Sequence, residues 1–294
     1  MNHLLQYFTV SILTVLAKVL PIQVSDWIAR RIGDLTYLFL SKRRRIALEN
    51  VSKAFEDSIS EKRKKQIVRA AFQSASLSMM ELFIVEKIKK EAHKRFKLYG
   101  NEFLEEAFMK HNGVVLVISH LGSWEYLSFL PYFTKRSWSV VVKDIKNPYI
   151  DKAIDAMRRV MTVIPIPKNS SIRTVLKELK SDHGVAILID QWAGDEGLWI
   201  DFFDTETSTT SIPARLAEKT GCALVPAYCL RSSSGYYEIH IEKPIEADMN
   251  QPDWENLVTK KLNESLEKQI LAYPEQWLWG HRRWKDKPDT MRAV

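Results

Sequence analysis

The chain has 294 residues, 46% of them hydrophobic, enough for one large domain or two small ones with a substantial core. Its 43 Lys and Arg against 36 Asp and Glu leave a net charge of +7, which favours an anionic partner: nucleic acid, a phosphorylated small molecule or an acidic membrane surface. Basic residues are not interleaved with aromatics in the manner of a nucleic-acid surface, so no nucleic-acid partner is expected.

Leu4 to Leu20 is mostly apolar, interrupted by Gln6 and by Lys18 near its end, and lies at the short limit for crossing a bilayer core. No Lys or Arg precedes it and no small-x-small site follows, which argues against a secretory signal. After Pro21 a second apolar stretch, Val24 to Leu40, carries Arg30, Arg31 and Asp34 on a polar face. The cluster Lys42-Arg43-Arg44-Arg45 follows; it would set the downstream side in the cytoplasm and attract anionic headgroups. Residues 1–45 are therefore expected to form a membrane anchor with an amphipathic helix, and residues 46–294 the working domain. The alternative is an ordinary core helix followed by a solvated basic turn. Residues 60–90 read as a helix of mixed charge, with Glu61-Lys62-Arg63-Lys64-Lys65 a solvated face.

Gly113-Val114-Val115-Leu116-Val117-Ile118 is β-branched, short and bounded by Gly, as in a buried strand. It runs into Ser119-His120-Leu121-Gly122-Ser123-Trp124-Glu125, a strand-to-helix turn that sets polar side chains at a sheet edge, where α/β proteins collect their sites. His120 is a candidate general base, with Glu125 as the carboxylate that fixes its tautomer and stabilises the imidazolium. The plainer alternative is a chance pairing, with Ser123 or Glu125 complementing a helix N-terminus. The spacing does not match two metal ligands on one helix face, so no metal is expected.

Downstream, Trp138 to Val142 reads as a strand, and Asn147-Pro148 opens a helix through Arg159. Val163 to Ile166 is a weak strand, Ser171 to Lys180 a helix, and Val185 to Ile189 a strand ending at Asp190-Gln191. Asp190 thus sits at a strand end, where site residues and helix caps both occur. Ala193 to Gly197 lacks phosphate-loop spacing and reads as a turn. Ile212 to Lys219 is a helix, Ala223 to Leu230 and Tyr236 to Ile241 are strands, and Trp254 to Ala272 is a long amphipathic helix. Cys222 and Cys229 lie in or beside the first of these strands; roughly 20 Å apart when extended, they suit buried thiols in a reducing compartment. The alternation predicts an α/β fold with a mainly parallel mixed sheet flanked by helices, behind an N-terminal membrane helix.

Four blocks in this order resemble the bacterial lipid A late acyltransferases, a branch of the His-x4-Asp/Glu glycerolipid acyltransferases. They are His120 to Glu125; Lys143 through Asn147-Pro148 to Arg158; Asp190-Gln191 with Phe202-Phe203 and the Thr/Ser-rich run to Arg215; and Pro274 to Lys285. The resemblance covers essentially the whole chain, and the last block is its most specific part. It implies a glycerolipid acyltransferase-like fold and transfer of a fatty acyl chain from acyl carrier protein or acyl-CoA to a hydroxyl of a lipid A precursor. Another glycolipid, such as a phosphatidylinositol mannoside, is the runner-up acceptor. It further implies the cytoplasmic face of the inner membrane, and no cofactor. A non-enzymatic protein binding acyl carrier protein or anionic lipid on its basic face remains the other class.

Under the resemblance His120 takes the proton from the attacking hydroxyl while Glu125 holds the imidazole. Backbone amides near the Gly122 turn, or a nearby Arg, supply the thioester oxyanion with donors. Arg158 matches the family's helix arginine and is assigned a transition-state or phosphate contact; without the family it would read as a surface helix charge. Lys143, Asp190, Arg282 and Arg283 complete the expected substrate contacts. The tail His281 to Lys285 either grips phosphate or an acidic sugar or, with Trp277, Trp279 and Trp284, packs on the core. Three positions depart from the usual pattern: Ser123 where Asn is common, Lys143 where Arg is common, and Asp204 where Gly is frequent. Lys143 loses a bidentate fork, which bears on the acceptor more than on the reaction.

Overall fold

The computed structural model describes residues 11–287 except 13, 16, 144, 168–170 and 247–250. From residue 22 onward the α-helices are α1 (Ile22–Phe39), α2 (Ser41–Phe55), α3 (Glu61–Phe83), α4 (Val85–Lys90), α5 (Ala92–Arg95), α6 (Asn101–Phe108), α7 (Leu130–Thr134), α8 (Pro148–Val160), α9 (Ser171–Lys180), α10 (Ile212–Thr220) and α11 (Trp254–Ala272). The strands are β1 (Phe96–Tyr99), β2 (Val114–Ile118), β3 (Trp138–Val142), β4 (Ile164–Pro167), β5 (Gly184–Leu188), β6 (Leu198–Phe202), β7 (Thr205–Thr209), β8 (Ala223–Ser233) and β9 (Tyr236–Ile241).

Seven strands form one sheet in the order β1-β9-β8-β2-β5-β3-β4. Every neighbouring pair is parallel except β8 with β9, so the expected mixed, mainly parallel sheet is what forms. β2 lies at its centre, and all five of its residues are buried. Its side chains alternate between two apolar layers, as the period of a strand requires. Val114, Leu116 and Ile118 face one layer, with α6 and the 3-10 turn Trp124–Phe129; Val115 and Val117 face the other, with α9, α10 and α11. A continuous apolar run on a strand covered on both faces is the expected result.

α3 connects the layers. Its first half (Ile67, Val68, Ala71) belongs to one and its second half (Leu77, Met80, Leu82) to the other. Ser60 caps it by accepting from the Arg63 amide at 3.2 Å, and it ends at Ile84 instead of running on to residue 90. α1 lies against α3 so closely that a side chain on Gly33 would meet the Gln73 Cα at 2.4 Å.

No helix among the described residues is long and apolar enough to cross a membrane, so a membrane-spanning N-terminal helix is not supported. Residues 4–10, 13 and 16 of the expected span lie outside the described residues. α1 is amphipathic, with Ala29 buried in the core while Trp27, Leu35, Leu38 and Phe39 are exposed. The basic cluster after it is partly structural: Arg44 donates to the Tyr37 and Leu38 carbonyls at the end of α1 (2.7 and 3.0 Å) and Arg43 to the Gly280 carbonyl (3.1 Å). Both cysteines are free and buried.

Candidate active site

The site is built at the C-terminal edge of the parallel strands. Ile118 of β2 is in register with Leu188 of β5, so continuing both strands by two residues brings His120 beside Asp190. His120 Nδ1 lies 2.8 Å from Asp190 Oδ1, while Oδ2 accepts from the His120 amide and from the Trp277 indole Nε1, both at 2.9 Å. Burial raises a carboxyl pKa, but the charge and hydrogen bonds of His120, with the Trp277 bond, outweigh it and hold Asp190 down at about 2. An ionised carboxylate is acceptor only, so Nδ1 carries the proton and Nε2 presents a lone pair. Burial alone would lower the imidazole; Asp190, with a further contribution from Glu125, holds it above its ordinary value of 6.5. The Trp124 ring meets the imidazole edge-on, and the Gln191 side-chain nitrogen lies 3.4 Å from each ring nitrogen.

Glu125, expected on the imidazole, is elsewhere. Its carboxylate takes a bidentate fork from Arg158 Nε and Nη2 (3.0 and 2.8 Å). Arg158 also reaches Asp155 at 3.3 Å, one turn earlier on α8. α8 is aimed by Asn147, whose side chain accepts from the Tyr149 and Ile150 amides, with Pro148 in the first turn. Asp190 thus fills the orienting position, and Glu125 fixes and neutralises a cavity arginine.

His120, Glu125, Arg158 and Lys143 all line one cavity of about 960 Å³. The β2–β5 ladder runs to Ile118–Leu188, but the β3–β5 ladder stops at Val140–Ala186. The two strands part beyond that point, and the cavity is lined from both of them. Leu116, Ile118, Leu127, Trp138, Val140 and Val163 give it an apolar interior. Trp138 is level with Gly184, six positions before Asp190, so the wall from catalytic edge to Trp138 spans about 20 Å at ~3.3 Å per residue. Gly184 has no room for a side chain: a Cβ would meet the Trp138 ring at 2.2 Å. Cations gather at the edge of the cavity, where Lys143 is exposed and Lys285 lies 3.3 Å over the Trp192 ring.

The C-terminal block is a scaffold for this edge. Arg283, expected to meet the acceptor, is fully buried and donates to the Gln191 and Ser208 carbonyls and to Thr209 Oγ1 (3.2, 2.5 and 2.6 Å). Burial, partly opposed by Asp190, lowers its pKa to about 10, and the residue remains a cation that ties the tail to the Asp190–Gln191 loop. Trp279 donates to the Pro274 carbonyl and Trp284 to the Phe202 carbonyl, both inside the second core layer. Arg282 is exposed and does not line the cavity. His281 lines it, lowered to about 4 by burial, against Asp190 and with the nearby cations adding. It therefore lines the cavity as a neutral imidazole at physiological pH and adds no positive charge there.

The amides expected to receive an oxyanion are also occupied. Gly122 N donates to the Gln276 carbonyl at 3.0 Å and Ser123 N to the Cys229 carbonyl at 2.7 Å. Arg158 has donors to spare: the second N–H of each Nη carries no bond to the described residues. Among the described residues no group of acidic, His and Cys side chains could hold a metal ion.

A hydrogen-bonded His–Asp pair beside a cavity with an apolar interior and a fixed cation is the kind of arrangement a group-transfer enzyme uses. The comparisons with known proteins give the group. The family model for bacterial lipid A biosynthesis acyltransferase matches residues 1–286. The lipid A biosynthesis palmitoleoyltransferase of Escherichia coli (strain K12) is 27% identical over 274 residues, covering 92% of this chain and 87% of its own. The lauroyltransferase of the same strain is 25% identical over 273 residues, with 92% and 88% covered. A phosphatidylinositol mannoside acyltransferase of Mycobacterium tuberculosis (strain CDC 1551 / Oshkosh) is 22% identical over 200 residues, 66% of this chain and 62% of that one. The chain belongs to the bacterial lipid A biosynthesis acyltransferase family and is an acyl-transferring enzyme.

Proposed function

We propose that this enzyme moves a fatty acyl chain from a thioester, carried by acyl carrier protein or CoA, to a hydroxyl of a lipid A precursor at the cytoplasmic face of the inner membrane. The observation that carries it is the His120–Asp190 pair opening on a cavity of about 960 Å³ with an apolar interior. The acyl chain lies in this cavity, past the apolar residues of β2 and β3, with its thioester carbonyl beside His120. His120 Nε2 takes the proton of the acceptor hydroxyl as its oxygen attacks that carbonyl. Asp190 stabilises the imidazolium that forms, and Arg158 meets the negative charge on the carbonyl oxygen. When the intermediate collapses the C–S bond breaks, the imidazolium proton goes to the departing thiolate, and the products are an ester and a free thiol.

The names of the relatives support a glycolipid acceptor, and the cations Lys143 and Lys285 at the cavity edge suit its anionic groups. The exposed apolar row of α1, followed by Lys42 to Arg45, supports an enzyme lying on the membrane with this row in the headgroup region. Mass spectrometry of lipids from cells with and without the protein tests the reading. Lipid A lacking one acyl chain in the deletion strain is the expected result; an unchanged lipid A with a changed second glycolipid would reassign the acceptor.

A further inference from the structure

A buried ion pair stands behind the turn that follows His120, outside the cavity. Glu81 on α3 and Arg231 on β8 have side chains 2% and 10% exposed, with Arg231 Nε 2.5 Å from Glu81 Oε1. Neither lines the cavity. A register shift between Arg231 and Ser233 bends β8 where the arginine leaves it, the usual way a bulge re-aims a side chain. The guanidinium then reaches Ser74 Oγ (2.8 Å), Ser78 Oγ (2.5 Å) and the Gly122 carbonyl (2.9 Å). Ser78 donates to that same carbonyl at 3.0 Å, and Ser123 Oγ donates to Glu81 Oε1 at 2.9 Å. Gly122 sits at φ 63°, and a Cβ there would lie 2.1 Å from the Cys229 carbonyl oxygen.

Buried ion pairs are often no more stabilising than apolar residues of the same volume, so stability alone does not account for two charges here. What apolar residues lack is a donor for the Gly122 carbonyl and an acceptor for the Ser123 hydroxyl. We propose that Glu81 and Arg231 are a positioning pair for the transfer reaction: they lock the Gly122–Ser123 turn so that His120 is held against Asp190 and aimed into the cavity. The inference rests on the acyl-transfer reading for its effect on rate, and on geometry alone for its effect on His120.

Arg231→Met by itself strands a buried carboxylate, so the test uses Glu81→Leu/Arg231→Met, which removes both charges together, with Ser123→Ala as the milder variant. Acyl transfer and the His120 imidazole NMR titration are measured on each beside wild type. The double variant is expected to melt close to wild type and to keep KM within about two-fold. Its kcat should fall about 100-fold, the loss typical of a small misplacement of a reacting group. Its His120 titration should move to lower pH as the Asp190 contact loosens, and Ser123→Ala should show both changes to a smaller extent. A double variant with wild-type kcat and wild-type titration overturns the proposal. If the double variant does not fold, Ser123→Ala decides by the same two readouts. If wild type transfers no acyl group, a shifted titration still supports the positioning role while the acyl-transfer reading fails.

Discussion

Asp190 uses both carboxylate oxygens on the site: one holds the His120 ring nitrogen, the other the His120 amide and the Trp277 indole. The ring therefore has its tautomer and its orientation set by one residue. The base must be neutral to act, so kcat/KM rises as pH climbs through the His120 pKa, which lies above 6.5. Asp190→Asn removes the main group that lifts this pKa and leaves burial to lower it. The acid limb of the pH–rate profile should then move to lower pH while kcat falls about 10⁴-fold, as when a triad histidine loses its carboxylate. A profile whose limb stays in place would remove Asp190 from the orienting role. Glu125 differs in kind: its bidentate partner is Arg158, which fixes a cation in the cavity and leaves two guanidinium N–H groups for the substrate.

In the proposed reaction the apolar wall of the cavity sets which acyl chain fits. Trp138 stands at the far end of the shared wall, packed edge-on against Phe108 and held by its indole bond to Thr134. Trp138→Ala should deepen the cavity and shift the preferred acyl thioester to longer chains, measured as the ratio of kcat/KM for a long and a short donor. An unchanged ratio would mean that the chain lies elsewhere. Much of this frame is legible in sequence because each element carries its own signal. The period of two in Tyr236–Ile241 and the amphipathic run Trp254–Ala272 coincide with β9 and α11. β1 is a four-residue edge strand with too little pattern to stand out, and α6 follows it through Gly100 in the left-handed region. The β6–β7 hairpin turns through Phe203 and Asp204 at φ 51° and 50°, without the Asn-Gly or Asp-Gly pair that marks such turns. Asp204 takes there a left-handed conformation that glycine adopts at no steric cost. The partner of His120 was hidden for another reason: a residue 70 positions away becomes its neighbour only once β2 and β5 are known to be adjacent and in register.

For the whole molecule, the same residues that close the fold build the site. Asn50 on α2 donates to the Trp279 and His281 carbonyls, Trp277 reaches Asp190 and Arg283 reaches Gln191, so the N-terminal helices, the tail and the catalytic edge form one connected unit. The outward face of α1 is left apolar, with Trp27 62% and Phe39 78% exposed. Trp27→Glu/Phe39→Glu should reduce co-sedimentation with vesicles containing anionic lipid several-fold while leaving transfer to a detergent-solubilised acceptor near wild type, since neither residue lines the cavity. Undiminished vesicle binding would place the membrane surface elsewhere.

In the proposed reaction His120 activates the acceptor hydroxyl for attack on an acyl thioester. The most direct test of this step is transfer of a labelled acyl chain from acyl carrier protein to a purified lipid A precursor, followed by mass spectrometry of the acceptor for wild type and His120→Ala. Wild type should add one ester-linked chain per acceptor, and His120→Ala, folded and still binding the donor, should add none above background. Equal product from the two proteins would contradict it.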